Sequence, residues 1–298
     1  MTPRPRRLVA AALALLLAAC GPDEAPPAEF SGERASPLLY EVTGPGGDVE
    51  GWLLGTIHAL PPGTDWQGEW SERLVSGSDE LLVEVAELDD RSAISAIFTE
   101  LATTPGMPPL EQRVAPSLRA DLAELVERSG IASERFADTE TWAAAVMLSR
   151  VDAAGDPRNG VDRALIRVFA PARVRGLETA RAQLGIFDTL PEADQRDLLE
   201  GTVREWHAAR KDRAQFARAW FTGDIAAIER ATVTGIMADP ELREALLVAR
   251  NRRWLPGIAA SFARTERTLV AVGAAHLVGR DGIAAMLEQA GYCVTRIE

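Results

Sequence analysis

A chain of 298 residues that is 47% apolar, with a mean hydropathy close to zero, can bury a sizeable core; disorder throughout is excluded and a soluble globular domain is expected. The formal charge of −12 supplies no basic face for nucleic acid, so no nucleic-acid partner is expected.

Residues 1–19 read as a targeting segment. Arg4, Arg6 and Arg7 form a positive start, residues 8–17 an apolar stretch too short to span a bilayer comfortably, and Leu17-Ala18-Ala19-Cys20 a small-residue cleavage site. That tetrapeptide resembles the lipobox of bacterial lipoproteins, which implies that Cys20 is lipidated and begins the mature chain; an ordinary secretory signal is the alternative. Cys293 is then the lone thiol, read as a buried strand cysteine, and the core rather than a disulfide must hold the fold. Residues 20–37, rich in Pro, Ala, Glu and Ser, read as a flexible tether, and residues 38–298 as one folded domain.

Two strand-like runs, 38–43 and 49–55, flank the turn cluster Gly44-Pro45-Gly46-Gly47-Asp48 and predict a hairpin. A short helix over 69–76 precedes the apolar strand 80–85, which is interrupted by Glu84. A carboxylate inside a buried strand requires a cation, metal or donor set unless it faces outward. From residue 90 to 150 apolar residues recur at helical spacing, and Asn159-Gly160-Val161-Asp162 opens another helix with an acid in its first turn, where it favours the helix dipole. Residues 172–177 form a short strand ending at Glu178, and helices dominate 191–264. His207 lies there on a polar helix and reads as a solvated surface residue. Strand 268–273, helix 282–289 and strand 292–297 suggest a closing βαβ unit.

Three histidines occur in the chain, and two follow one pattern. Trp52-Leu53-Leu54-Gly55-Thr56-Ile57-His58 and Thr268-Leu269-Val270-Ala271-Val272-Gly273-Ala274-Ala275-His276 each run a buried strand into a glycine and then, three residues on, a histidine. Ligands of open α/β sheets gather beyond the carboxyl ends of such strands. If the two strands are neighbours, imidazoles from opposite ends of the chain meet. A histidine after a strand is also a common structural residue, and both readings stand at this point. On the functional reading, His58, His276 and Glu84 are the set that would bind a divalent metal with open positions for water and substrate. A carboxylate such as Glu84 or a bound water would supply the base. No H-E-x-x-H, G-x-S-x-G, P-loop or G-x-G-x-x-G signature is present.

Gly55-Thr56-Ile57-His58-Ala59-Leu60-Pro61-Pro62, Leu82-Val83-Glu84-Val85, and the stretch from Val270 through His276 to Arg280, with Gly291-Tyr292-Cys293-Val294, resemble the TraB/GumN family, which includes the Tiki-type proteases. Gly160-Val161-Asp162, Gly176-Leu177-Glu178-Thr179 and Arg250-Asn251 are similar to less distinctive family stretches. The resemblance implies an α/β fold, a central mixed β-sheet with many surrounding helices. Its core would be akin to those of erythromycin esterase-like hydrolases and haem-binding lipoproteins. It also implies a metal-dependent peptidase using the two G-x-x-H motifs and an early acid, with Mn or Co, or else Zn, as the divalent ion. Ala86 stands where members often carry a second acid, with Glu87 the nearby carboxylate. Arg250 would hold a substrate carboxylate or a transition-state oxyanion, or else is a helix-surface arginine.

The expectation is a hydrolase on the periplasmic side of a bacterial membrane, anchored by lipid, acting on a peptide or small-molecule substrate; Gly21 after the cysteine favours the outer membrane. The alternatives are a metal-free esterase-like hydrolase with a histidine base, and a lipoprotein that binds a peptide, signal molecule or haem without cleaving it.

Overall fold

The computed structural model describes residues 34–297, so the targeting segment, Cys20 and the tether as far as residue 33 lie outside the described residues. Packing begins slightly ahead of the expected start. Ala35 is buried, and the Ser36 N–H donates to the Phe221 carbonyl at 2.8 Å.

Six strands form one mixed sheet: β1 (Leu39–Thr43), β2 (Val49–Thr56), β3 (Glu80–Val85), β4 (Val174–Glu178), β5 (Thr268–Gly273) and β6 (Cys293–Arg296), in the order β4-β3-β5-β2-β1-β6. The run β4-β3-β5-β2 is parallel, whereas β1 pairs antiparallel with β2 as the expected hairpin, and β6 pairs antiparallel with β1. The two strands that carry the histidine motifs are therefore direct neighbours, with Gly55 opposite Val272 and Thr56 opposite Gly273.

Among the described residues twelve α-helices surround the sheet. They are α1 (Glu69–Gly77), α2 (Arg91–Leu101), α3 (Arg119–Ser129), α4 (Thr141–Leu148), α5 (Val161–Val168) and α6 (Ala180–Asp188), then α7 (Glu192–Ala209), α8 (Gln215–Phe221), α9 (Ile225–Ala231), α10 (Pro240–Arg243), α11 (Ala249–Phe262) and α12 (Ile283–Gln289). Both faces of a mostly parallel sheet must be covered, and the period-two alternation of each strand shows how. Leu54, Leu81, Val83, Leu269 and Ala271 pack against residues of α1, α5, α8 and α9, including Leu74, Leu165, Trp220 and Ile228. Their neighbours Leu53, Leu82, Val270 and Val272 face the opposite way, onto Trp254, Ile258 and Phe262 of α11 and Ile283 and Leu287 of α12. Glu84 shares the parity of Leu82 and so points to the α11 side.

A third apolar cluster is mostly helical, with Val85, Leu88, Ala102 and Val114 as its members outside helices. It joins α2, α3, α4, α6 and α7 around Trp142, which stacks on Phe187 at 6.0 Å and meets Phe98 edge-on at 5.4 Å. This helical layer sits beyond the carboxyl end of β3 and roofs that end of the sheet.

Two expectations are corrected. β5 and β6 are not adjacent members of a βαβ unit, because β2 and β1 lie between them and β6 finishes on the far edge beside β1. On that edge Cys293 is exposed rather than buried, since an edge strand has one covered flank only. His207 is a surface residue, as read, facing Asp121 at 3.4 Å. Among the described residues no helix is long and apolar enough to cross a membrane.

Candidate functional site

Four parallel strands deliver chemistry at one end. His58 follows β2, Glu84 is next to last in β3, Glu178 closes β4, and Gly273 closes β5 three residues before His276. All lie at carboxyl ends, where an open α/β sheet leaves a crevice. Helices supply the rest: Asp162 from the first turn of α5, Gln183 from α6, and Arg250, Asn251 and Trp254 from α11.

Local geometry explains the placement of Asp162. The Val161 N–H donates to the Ile57 carbonyl at 3.0 Å, which lays the start of α5 against the histidine loop. A Cβ on Gly160 would come within 2.4 Å of the His58 carbonyl oxygen, so only glycine permits this approach. Asp162 then accepts from Thr56 Oγ1 at 2.5 Å and lies 2.8 Å from His58 Nδ1. With Nδ1 donating to the carboxylate, His58 turns Nε2 inward, 3.8 Å from Glu84 Oε1.

His276 is held in the same sense by a different group. Asn251 donates through Nδ2 to the Asp281 carbonyl at 2.8 Å, which directs its Oδ1 to His276 Nδ1 at 2.6 Å. An amide oxygen only accepts, so Nδ1 carries the proton and Nε2 holds the lone pair. It too lies 3.8 Å from Glu84 Oε1. The ring packs on Trp254 with centroids 4.6 Å apart. Two imidazoles from opposite ends of the chain thus present Nε2 to one carboxylate oxygen.

Glu84 is buried, with a relative exposure of 4%. Its Oε1 accepts from the Gly273 N–H at 2.8 Å, while Oε2 accepts from Arg250 Nη2 at 2.6 Å and from Gln183 Nε2 at 3.3 Å. Arg250 also donates to Glu178 Oε1 at 2.6 Å and to His276 Nε2 at 3.2 Å, and Trp254 Nε1 donates to Glu178 Oε2 at 3.3 Å. Arg250 is therefore buried and engaged, not on the helix surface. The wide π-helical turn Glu244–Val248 immediately precedes α11 and sets the register from which Arg250 and Asn251 project.

These contacts separate the two imidazoles electrostatically. Burial works against the charged form of His58, yet Asp162, with help from Glu84, outweighs it and lifts the pKa to about 9. Burial, reinforced by Arg250 and His58, pushes His276 down to about 3 despite the pull of Glu84. Burial alone would raise Glu84; Arg250 and the two histidines hold it well below the usual carboxylate range.

The donor set suits a divalent ion in kind: two imidazoles, each oriented by a hydrogen bond on Nδ1 so that Nε2 faces inward, and a carboxylate oxygen; an ion would have to displace the Nε2 proton of His58 and the Arg250 hydrogen bond to His276. A Cβ on Gly273 would meet Glu84 Oε1 at 3.2 Å and His58 Nε2 and His276 Cδ2 at 3.6 Å, so this glycine keeps the space between the donors clear. Gln183 Oε1 is buried beside them without a partner. Arg250 is the cation that shares the carboxylate, and among the described residues no group of three or more His, Cys, Asp or Glu stands ready to hold a metal as placed. Glu87 is exposed on the turn after β3 and does not stand in for a second acid.

Of the sequence-derived residues, His58, His276, Glu84 and Arg250 come together. Asp162, Glu178, Gln183, Asn251 and Trp254 join them; of these, the sequence offers Asp162 through the helix dipole and Glu178 only as a strand-end acid. A model of the TraB/PrgY/gumN family matches residues 38–296. No curated protein and no solved structure matches the chain.

The raised pKa of His58 carries a stability signature. The unfolded imidazole titrates near 6.5 and the folded one near 9, so the stabilisation from the His58–Asp162 pair is fully present below about pH 6.5 and is lost as pH rises through about 9. Urea unfolding followed from pH 6 to 10 is expected to show this decline in the wild type and a much flatter curve in Asp162→Asn. Equal slopes in the two proteins would contradict the assigned pair.

Proposed function

The chain belongs to the TraB/PrgY/gumN family, and from that premise we propose that it is a hydrolase of amide or ester bonds, a metal-dependent peptidase, tethered through Cys20 to a membrane on its periplasmic side. The observation that carries this reading is the convergence of His58 Nε2 and His276 Nε2 on Glu84 Oε1, each at 3.8 Å.

His58 and His276 through Nε2, and Glu84 through Oε1, would hold the ion. When bound, such an ion polarises a substrate carbonyl and makes a water more acidic. The chain's own groups support this chemistry. Asp162 and Asn251 keep both Nε2 atoms aimed inward. Arg250 keeps Glu84 ionised and places N–H donors beside His276, where charge developing on a carbonyl oxygen would be stabilised. The burial of Glu84, His276 and Arg250, with Trp254 packed on the His276 ring, limits water around the reacting groups.

A second reading has its own support. Two titratable groups driven to opposite sides of neutrality are the usual arrangement for an acid and a base. Neutral His276 would take a proton from water, and the His58 imidazolium would give one to the leaving group, with Arg250 facing the oxyanion. No metal is needed in that scheme.

One experiment separates the readings. Wild type, His58→Ala and His276→Ala are loaded with Mn, Co or Zn and assayed on a peptide library with and without a strong chelator. The metal reading expects one ion per wild-type chain, loss of binding in both variants, and hydrolysis abolished by the chelator and restored by the ion. Hydrolysis that survives the chelator but fails in either variant establishes the metal-free scheme. Peptide retained uncut under every condition overturns the hydrolase.

A further inference from the structure

His58 also lines a cavity of about 140 Å3. Its wall is mostly apolar, with Ile57, Trp206, Phe216 and Ile236 among the lining residues. The polar residues that line it are nearly all engaged. Ser149 and Thr202 donate to helix carbonyls, and Arg213 pairs with Asp152 at 2.9 Å. Asp152 also accepts from Trp206 Nε1 at 3.2 Å and from Arg128 at 2.7 Å. It does so from φ 56°, the one non-glycine residue with positive φ among the described residues, a strained backbone held by its three partners.

Glu205 is the exception. This half-buried carboxyl on α7 takes one N–H, from Ile236 at 2.7 Å on Oε1. Among the described residues no cation offsets its charge; the Ile236 N–H is the one group that acts against burial. Burial pushes its pKa up to about 8, and the one backbone donor does not offset that. A carboxyl in this condition beside an apolar cavity keeps its proton at neutral pH for want of a counter-charge, and an arriving ammonium group would let it ionise.

We propose that this cavity is a binding site for the ammonium group of an amine-bearing ligand, with Glu205 as its counter-ion and Ile57, Trp206, Phe216 and Ile236 taking the carbon skeleton. Because His58 lines the same cavity, the site would place an amine next to the reacting centre. On the hydrolase reading, on which this identification of the ligand rests, the amine belongs to the substrate: a peptide amino terminus or a basic side chain close to the bond attacked.

The test uses direct binding, so it is independent of turnover. A cavity of about 150 Å3 accommodates a benzene-sized ring, which makes benzylamine a suitable probe and benzyl alcohol its neutral counterpart. Calorimetry or protein-observed NMR at pH 7 on the full chain is expected to show saturable benzylamine binding about tenfold or more tighter than benzyl alcohol. Glu205→Gln keeps the hydrogen bond to Ile236 and is expected to abolish the preference; Glu205→Asp retains part of it. Equal affinity for the two probes, or no saturable binding of benzylamine to the wild type, overturns the proposal without any variant. Amine binding with no hydrolysis of any substrate leaves the subsite standing and removes the hydrolase reading. Hydrolysis without amine binding does the reverse.

Discussion

The contact on which the site depends is a buried ion pair, Glu84 with Arg250 at 2.6 Å, between the carboxyl end of a central strand and one helix packed on the sheet. Neither charge is tolerable there alone, because removing one partner of a buried pair leaves the other uncompensated. Glu178 and the Gly273 amide complete the arrangement from the two strands flanking β3, so three parallel strands and α11 meet at one carboxylate. Once Glu84 is held, the histidine loops after β2 and β5 have a common target, and Asp162 and Asn251 decide which ring nitrogen faces it. The same target is reached by two different orienting groups, a carboxylate that favours imidazolium and an amide oxygen that does not. This difference, added to the depth of burial, is why two similar sequence motifs end in different protonation states.

Much of this was legible in the sequence because it rests on local pattern. The paired runs ending in glycine and histidine announce strands leading into a crevice, and the acid in the apolar run 80–85 is conspicuous for its cost in a core. The hairpin, the short helix after it and the strand ending at Glu178 follow from turn residues and apolar periodicity. What escaped depends on tertiary placement. An acid in the first turn of a helix has a sufficient local explanation, which hides the bond of Asp162 to His58. Asn251 and Gln183 look like ordinary polar helix residues until α11 and α6 are docked. Arg250 drew notice through family resemblance, since nothing in its local sequence distinguishes a buried arginine from a solvated one. The order of strands is likewise not a local property: the last strand crosses to the far edge, leaving Cys293 exposed.

The family's paired motifs and the geometry agree on where chemistry is done, while the guanidinium beside the carboxylate sets the question of how. A donor set suited to a divalent ion shares its oxygen with a resident cation, and the acid–base asymmetry of the two rings offers a route that uses that cation directly. Both schemes need the same buried carboxylate in the same ionisation state.

A double-mutant cycle tests that requirement most directly. Urea unfolding of wild type, Glu84→Gln, Arg250→Met and the double variant gives the coupling between the two charges. The account predicts that each single change is strongly destabilising and that the pair couples by about 1–3 kcal/mol, so the double variant is more stable than the sum of the single changes implies. Strict additivity would mean that the two groups do not sense one another, and would contradict the account.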